Sequence, residues 1–352
     1  MANIAQALRM ALHVGETRLG VTDVFGEDVG PPLGGVFTAT QGLTTTWNSP
    51  LDERGIVGTA FGLALAGQRA VAEIQFVDYI YNTIDLLKLV GNCRWSCNGM
   101  FEVPLVLMTP VGSGIHGSLY HSHSFDTFAT HMPGWKVVLV STPLDAYGLM
   151  ISAIQDPNPV MFLYPKALIR IPGSDKIPGE PEDSKELSRR IDAPVGAARE
   201  GWTPDWPELP DFSIPIGEAK TIAEGTDVTC VTYGRTAPLA KKAAAKLAED
   251  GVSVEVIDLR TLVPYDWDAI VASVKKTRRF IAINEDTEVT NFGEHLARRV
   301  TEELFYELEA PPKVLAGANT PGIGLAWSLE QVQVPQAADI ERALRELAAI
   351  YA

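Results

Sequence analysis

The chain has 352 residues, a formal net charge of −15 and 46% apolar residues. That length exceeds what one core usually serves, since single hydrophobic cores stop growing near ~250–300 residues. The ordinary composition excludes wholesale disorder and collagen-like repeats, and the acidic balance argues against nucleic acid as a partner. No run approaches the ~18 apolar residues of a membrane helix. The opening MANIAQALRMALHVGETRLG has helical spacing without the apolar centre and cleavage site of a secretory signal. A cytoplasmic protein of two domains is the expectation. Cys93, Cys97 and Cys230 read as small buried hydrophobes in a reducing compartment.

In chain order, VTDVFGED, AVAEIQF, PLVLMTP, KVVLVST and PVMFLY predict short buried strands, with helices at 53–66, 80–91 and 143–155 between them. Residues 171–215 then carry eight prolines and a net charge of −5. Proline fixes φ and removes ladder donors, which predicts an extended linker over the surface. Within it, a short helix is expected at 182–191, and Trp202, Trp206 and Phe212 are expected to pack the second half down. Beyond it DVTCVTYG, VSVEVIDLR, RRFIAINED and PKVLAG predict strands, separated by helices near 236–250, 266–276 and 293–309. Strand-then-helix alternation on both sides of the linker predicts two doubly wound α/β domains with mainly parallel sheets, at 1–170 and 216–352. Ligands of such folds sit at the carboxyl ends of strands.

Three segments carry candidate chemistry. In SPLDERGIVGTAFGLALAG, Ser49 is placed to cap a helix, with Pro50 at its first position and Asp52 closing the capping box. That sets Glu53 in the first turn, where a solvated glutamate is also favoured by the helix dipole. Gly55, Gly58 and Gly62 leave one side of this helix small enough for close approach of a ligand or backbone. The second segment, PVGSGIHGSLYHSHSFDTFATH, holds four of the six histidines: His116, His121, His123 and His131. Its GSGIHG matches a dinucleotide-binding spacing by accident, because Pro110 intervenes and no apolar helix follows. His121 and His123 could share a zinc ion, but proton transfer near neutral pH suits the loop better. In AEIQFVDYIYNTIDLL, Glu73, Gln75 and Asp78 lie among Phe76, Tyr79 and Tyr81 at a strand-to-helix junction. Neither a GxxxxGK[ST] loop nor a GDG with a paired asparagine occurs, so a phosphorylated cofactor would need its phosphate end held by another chain.

Taken together, GEDVG at 26–30, GGVF at 34–37, SPLDERGIVG at 49–58 and EIQFVDYI at 73–80 resemble a known family. So do YHSHS at 120–124, HMPGWKVV at 131–138, PKALIR at 165–170 and VEVIDLRTLVPYDWD at 254–268. The resemblance is to the beta subunit of the thiamine diphosphate-dependent decarboxylase component of 2-oxoacid dehydrogenase complexes, of the branched-chain and pyruvate type. It implies a transketolase-like fold, a pyrimidine-binding domain followed by a transketolase C-terminal domain, and an α2β2 assembly. The alpha subunit would hold Mg²⁺ and the diphosphate, and the beta subunit the aminopyrimidine. By the resemblance, Glu53 hydrogen-bonds the ring nitrogen and exchanges a proton with it, which activates the cofactor. Tyr79 stacks on the ring, and Leu51 and Gln75 make further contacts. His121 binds the substrate carboxylate or serves proton and acyl transfer. Asp156 and Asn158 match a structural potassium site of some members. The partners implied are an alpha subunit, a lipoyl acyltransferase core and a small 2-oxoacid.

Three features depart from the family pattern. His123 stands where the family has glutamine, the GLTTTWNSP loop before Glu53 is short, and the 171–215 linker is long. Two rival readings remain beside the resemblance: acetoin or transketolase-type chemistry on the same cofactor, and a non-catalytic scaffold that keeps the fold for docking.

Overall fold

The computed structural model describes residues 1–350. The chain divides into two compact units. One comprises Met1–Pro110, Met132–Tyr164 and Leu168–Ile216, and the other comprises Val111–His131, Pro165–Ala167 and the chain from Gly217 onward.

The first unit contains α1 (Ile4–Arg18), β1 (Val21–Gly26), β2 (Thr46–Asn48), α2 (Glu53–Leu65), β3 (Arg69–Glu73), α3 (Ile84–Ser96) and β4 (Leu105–Val111). The segment after β4, with the short α4 (Asp126–Thr130), groups with the second unit. The first unit resumes with β5 (Lys136–Leu139), α5 (Pro143–Gln155), β6 (Val160–Pro165) and α6 (Ser184–Ile191). Its strands lie in the order β5-β6-β4-β3-β1-β2, and β1 pairs in parallel with β2 and β3, β3 with β4, and β5 with β6. Helix α5 begins where Thr142 caps it: its hydroxyl oxygen accepts from the Asp145 N–H at 3.1 Å, with Pro143 in the first turn. Helix α1 packs against α5 and is buried along most of its length, so Ile4, Leu8, Met10, Leu12 and Val14 form the centre of the core.

The proline-rich segment is strapped to this core. Ile177, Leu187, Ile191, Leu209 and Ile214 are buried in it, and Trp206 stacks on His13 with ring centroids 4.1 Å apart. Arg9, 1% exposed, holds the strap by donating to the Ile191 carbonyl, to Asp192 at 2.9 Å and to the Thr38 carbonyl. A buried guanidinium needs this full set of acceptors, since removing one partner of a buried pair costs about 3–5 kcal/mol.

Gly134 turns the chain into β5 at φ +96°, and a Cβ there would sit 1.9 Å from the Gly91 carbonyl oxygen of α3. Gly67 also has positive φ, +83°, but a Cβ there meets nothing within 4 Å. Gly134→Ala is therefore expected to destabilise by roughly 3 kcal/mol or more, against about 1 kcal/mol for Gly67→Ala. Thermal melts of the two variants check this; equal losses would show that conformation alone, without the clash, sets the cost.

The second unit contains β7 (Lys220–Ala223), β8 (Val228–Thr232), α7 (Thr236–Glu249), β9 (Val254–Asp258), β10 (Thr261–Val263), α8 (Trp267–Thr277), β11 (Phe280–Thr287), α9 (Phe292–Leu304), β12 (Lys313–Gly317), α10 (Trp327–Gln333) and α11 (Ala337–Ala348). Five of its strands form a sheet in the order β12-β11-β8-β9-β7, parallel except for the antiparallel edge strand β7. Helices α7 and α11 pack together over its core of Val228, Cys230, Val256, Ile281 and Ile283. Both units thus have the doubly wound, mainly parallel architecture expected. Cys230 is buried as expected, whereas Cys93 and Cys97 are only half-buried, because the end of α3 faces outward beside the exposed Trp95. No helix among the described residues is long and apolar enough to cross a membrane.

Candidate active site

In the first unit, carboxylates gather at the carboxyl ends of β1 and β3. Glu27 and Asp28 directly follow β1, Gln75 follows β3, and Glu53 opens α2. The start of α2 differs from the expected cap. The helix begins at Glu53 with Asp52 as its N-cap, and Asp52 makes no side-chain capping bond. Ser49 instead donates to the Pro50 carbonyl at 3.0 Å, and Pro50 and Leu51 lie outside the helix. Asp52 folds over Gly55, where a Cβ would meet its Oδ2 at 2.6 Å. This leaves Glu53 half-buried as the first helical residue, its Oε2 accepting from Asn82 Nδ2 at 3.3 Å. Among the described residues no cationic side chain pairs with it, while the neighbouring Arg54 is taken by Asp85.

Around Glu53 acidic groups predominate. Burial, Asp28 and Glu53 together push the Glu27 carboxyl above its usual range. Burial, Asp78, Glu27 and Glu53 raise the Tyr79 phenol. Gln75 Nε2 donates to Asp28 Oδ2 at 3.3 Å, and Phe76 meets Tyr79 edge-on at 5.8 Å between centroids. Leu51, 74% exposed, stands at the entrance to α2. Glu53, Gln75 and Tyr79 are thus brought together with two acids, Glu27 and Asp28, that carried no role in the sequence reading. Their signal was the GEDVG that closes the first strand. Such a set suits a cationic or hydrogen-bonding ring and repels phosphate.

Glu73 is separate from this group. It is 2% exposed, with Oε1 accepting from the Tyr164 hydroxyl at 2.7 Å and Oε2 unpartnered, and burial pushes its carboxyl up to about 7.

In the second unit, the histidine loop follows β4 as an irregular segment. His116, Ser118 and Phe125 all have positive φ, a costly cluster for residues with side chains. Two glutamates, the half-buried Glu285 and the buried Glu330, anchor the loop. The Ser113 hydroxyl donates to Glu285 at 2.8 Å and the Gly114 N–H to Glu330 at 3.1 Å, and His116 lies 3.5 Å from the other Glu330 oxygen. His121 Nδ1 lies 3.1 Å from the Gly117 carbonyl. A carbonyl only accepts, so Nδ1 carries the proton and the basic lone pair is on Nε2. His123 Nε2 lies 3.9 Å from Asp286 Oδ1. No group of three or more His, Cys, Asp or Glu among the described residues is arranged to hold a metal ion.

Asp156 and Asn158 form a turn in the first unit. Asp156 accepts from Asn158 at 2.8 and 2.9 Å and from Lys136, and Asn158 Oδ1 accepts from Arg94 at 3.0 Å. With these side-chain oxygens engaged by Lys136 and Arg94, a potassium ion at the turn would rest on backbone carbonyls instead.

Comparison with known proteins fits this arrangement. Residues 1–172 match the transketolase pyrimidine binding domain, and residues 217–340 the transketolase C-terminal domain. The chain is 34% identical to a 2-oxoisovalerate dehydrogenase subunit beta of Bacillus subtilis (strain 168), over 97% of each chain. It is 36% identical to a pyruvate dehydrogenase E1 component subunit beta of Acholeplasma laidlawii, over 98% of this chain and 96% of that one. The chain belongs to the beta-subunit family of the 2-oxoacid dehydrogenases. Members of this family are thiamine diphosphate-dependent. Among solved structures, a split gene transketolase, an inactive beta4 tetramer, superposes with a TM-score of 0.70 at 17% identity over 99% of each chain, which fixes the fold. The family's domain boundaries bracket the proline-rich strap, which lies between the two matched regions.

Proposed function

We propose that this chain is the beta subunit of a decarboxylating, lipoyl-acylating 2-oxoacid dehydrogenase, acting with an alpha subunit in an α2β2 tetramer. The observation that carries the reading is Glu53: a first-turn carboxylate without a cationic partner among the described residues, grouped with Tyr79 and Gln75 in an acidic setting. That donor set fits the aminopyrimidine of thiamine diphosphate. Glu53 would accept from or donate to the ring nitrogen, Tyr79 would stack on the ring, and Gln75 and Leu51 would fix its edge and face. Bound there, the cofactor supplies the nucleophilic carbon and the electron sink for decarboxylation. Glu53 holds and returns a proton at its carboxyl oxygen, the role for which a positioned carboxyl is worth about 10²–10⁴ in rate. His121, its lone pair directed to Nε2 by the Gly117 carbonyl, would engage the substrate carboxylate or pass a proton.

The acidic setting also supports a division of labour. Glu27, Asp28, Asp52, Glu53 and Asp78 would repel a diphosphate, so that end of the cofactor and its Mg²⁺ are assigned to the alpha subunit. Exposed apolar side chains supply a surface for such a subunit: Leu51 in the first unit, and Trp327 and Val332 on α10 in the second. Relatives named for 2-oxoisovalerate and for pyruvate match almost equally, at 34% and 36%. The substrate is accordingly proposed as a short 2-oxoacid, and the acyl acceptor as the lipoyl group of an acyltransferase core.

The isolated chain is expected to show no turnover and no tight cofactor binding, whereas co-expression with its alpha subunit yields both. Activity is measured on a panel of branched-chain 2-oxoacids, pyruvate, acetoin and sugar phosphates. Turnover by the chain alone would refute the shared site, and a preference for acetoin or sugar phosphates would move the substrate assignment.

A further inference from the structure

His123 lies beside a buried carboxylate. Its Nε2 is 3.9 Å from Asp286 Oδ1, and its ring meets Phe125 edge-on at 6.4 Å. Asp286, 4% exposed, is fixed by two backbone donors: Thr127 N–H to Oδ2 at 3.1 Å and its neighbour Thr287 N–H to Oδ1 at 2.9 Å. Behind it lies a second carboxyl. Asp126 is 1% exposed and neither of its oxygens makes a well-formed hydrogen bond, though it faces Asp286, Ser124 and the equally buried Tyr233 hydroxyl. Two buried carboxylates side by side cannot both ionise. The burden falls unevenly: burial and Asp286 push the Asp126 carboxyl well above the usual carboxylate range, whereas for Asp286 the effect of burial is outweighed by Asp126, His123 and Thr127, which lower it.

We propose that Asp286, backed by Asp126, orients His123 as a second proton-transfer imidazole two residues from His121. Asp286 accepts from Nε2–H, which fixes the tautomer and puts the basic lone pair on Nδ1. This is the logic by which a buried aspartate aligns a general base. The 3.9 Å separation is longer than a hydrogen bond, so the pair has to close when substrate binds, as catalytic contacts often do. The neutral Asp126 lets Asp286 keep its charge without a second buried anion. The count closes: the electron pair released by decarboxylation forms the acyl carbon–sulfur bond as the S–S bond of the disulfide acceptor breaks, and Nδ1 passes the proton released from the former oxo oxygen to the departing sulfur. Asp286 stays ionised and Asp126 keeps its proton throughout. Among the described residues, the titratable groups Tyr233 and Glu285 also face the cluster, and Glu285 is paired with Arg235 at 3.6 Å.

The chemical step in this inference rests on the 2-oxoacid dehydrogenase reading, but the dyad itself is tested without it. In the full chain labelled with ¹⁵N-histidine, the His123 signals are expected to report the Nε2–H tautomer. Asp286→Asn should shift them to a tautomer mixture, while Asp126→Asn, which keeps a neutral group there, should retain them. In the assembled enzyme His123→Gln should lower kcat at least 10-fold with KM for the 2-oxoacid within about twofold, and should flatten one limb of the pH profile. Asp286→Asn should do the same, and the double variant should fall no further than either single one. Unchanged His123 signals in Asp286→Asn would overturn the dyad whatever the enzyme's substrate. Additive losses in the double variant, or near wild-type kcat in His123→Gln, would leave His123 as a packing replacement for glutamine and overturn its proton-transfer role.

Discussion

Glu53→Gln is expected to lower turnover at least ~100-fold with the α2β2 assembly intact. The substitution keeps the size and shape of the side chain. Its structural cost is small, because Glu53 is half-buried and its hydrogen bond from Asn82, at 3.3 Å, can be accepted by a glutamine oxygen. Half-exposed positions without buried partners usually change stability by less than ~0.5 kcal/mol. What glutamine cannot do is hold and release a proton. The loss is expected in kcat, with cofactor affinity falling less, because the amide can still hydrogen-bond the ring. Steady-state rates with saturating cofactor, together with the mass of the complex in solution, decide the matter. A variant that assembles and turns over within threefold of wild type removes Glu53 from proton exchange, and the acidic group around it then serves binding alone.

Much of this was legible in the sequence because it is local. The pattern of apolar residues found the strands and the helix at 143–155. SPLDERG placed Glu53 in a first turn, although it credited Ser49 with a cap that the helix, starting at Glu53 with Asp52 as its N-cap, does not use. The strap at 171–215 was recognisable from its prolines, but its binding to α1 through Arg9 was not, since Arg9 and Asp192 are 183 residues apart. The same holds for the features with the most unusual electrostatics. Tyr164 reaches Glu73 across 91 residues, and Asp286 meets the Thr127 N–H beside Asp126 across 159. Each partner looks ordinary in its own segment. Only the parallel crossovers of the two sheets bring them together, and burial then changes their protonation. The edge strand β7 was missed for a related reason: it is short and only partly buried, so it lacks an apolar run.

Stability is expected to fall as pH rises from about 5 to 8, and Glu73→Gln is expected to remove much of that fall. In the folded chain burial pushes the Glu73 carboxyl up to about 7, although the Tyr164 hydroxyl bond pulls it down. In the unfolded chain it titrates near the ordinary value of ~4.3. Between those values the folded state binds a proton that the unfolded state has released, so this contribution is complete below ~4.3 and is lost as pH rises through about 7. The loss approaches about 4 kcal/mol over the full separation, at roughly 1.36 kcal/mol for each unit. The glutamine of the variant is neutral at every pH. Its amide places an NH₂ or oxygen where Glu73 Oε2 has no partner, which costs about 1–3 kcal/mol at low pH. The variant is therefore expected to be less stable than wild type near pH 5 and as stable or more so near pH 8. Asp126, whose carboxyl burial also raises, contributes a slope of the same sign in both proteins, so the difference between the curves isolates Glu73. Melts at half-unit steps are expected to show the two curves converging by roughly 5–10 °C across this window. Parallel curves would mean that Glu73 is ionised in the fold at neutral pH, held by Tyr164 alone.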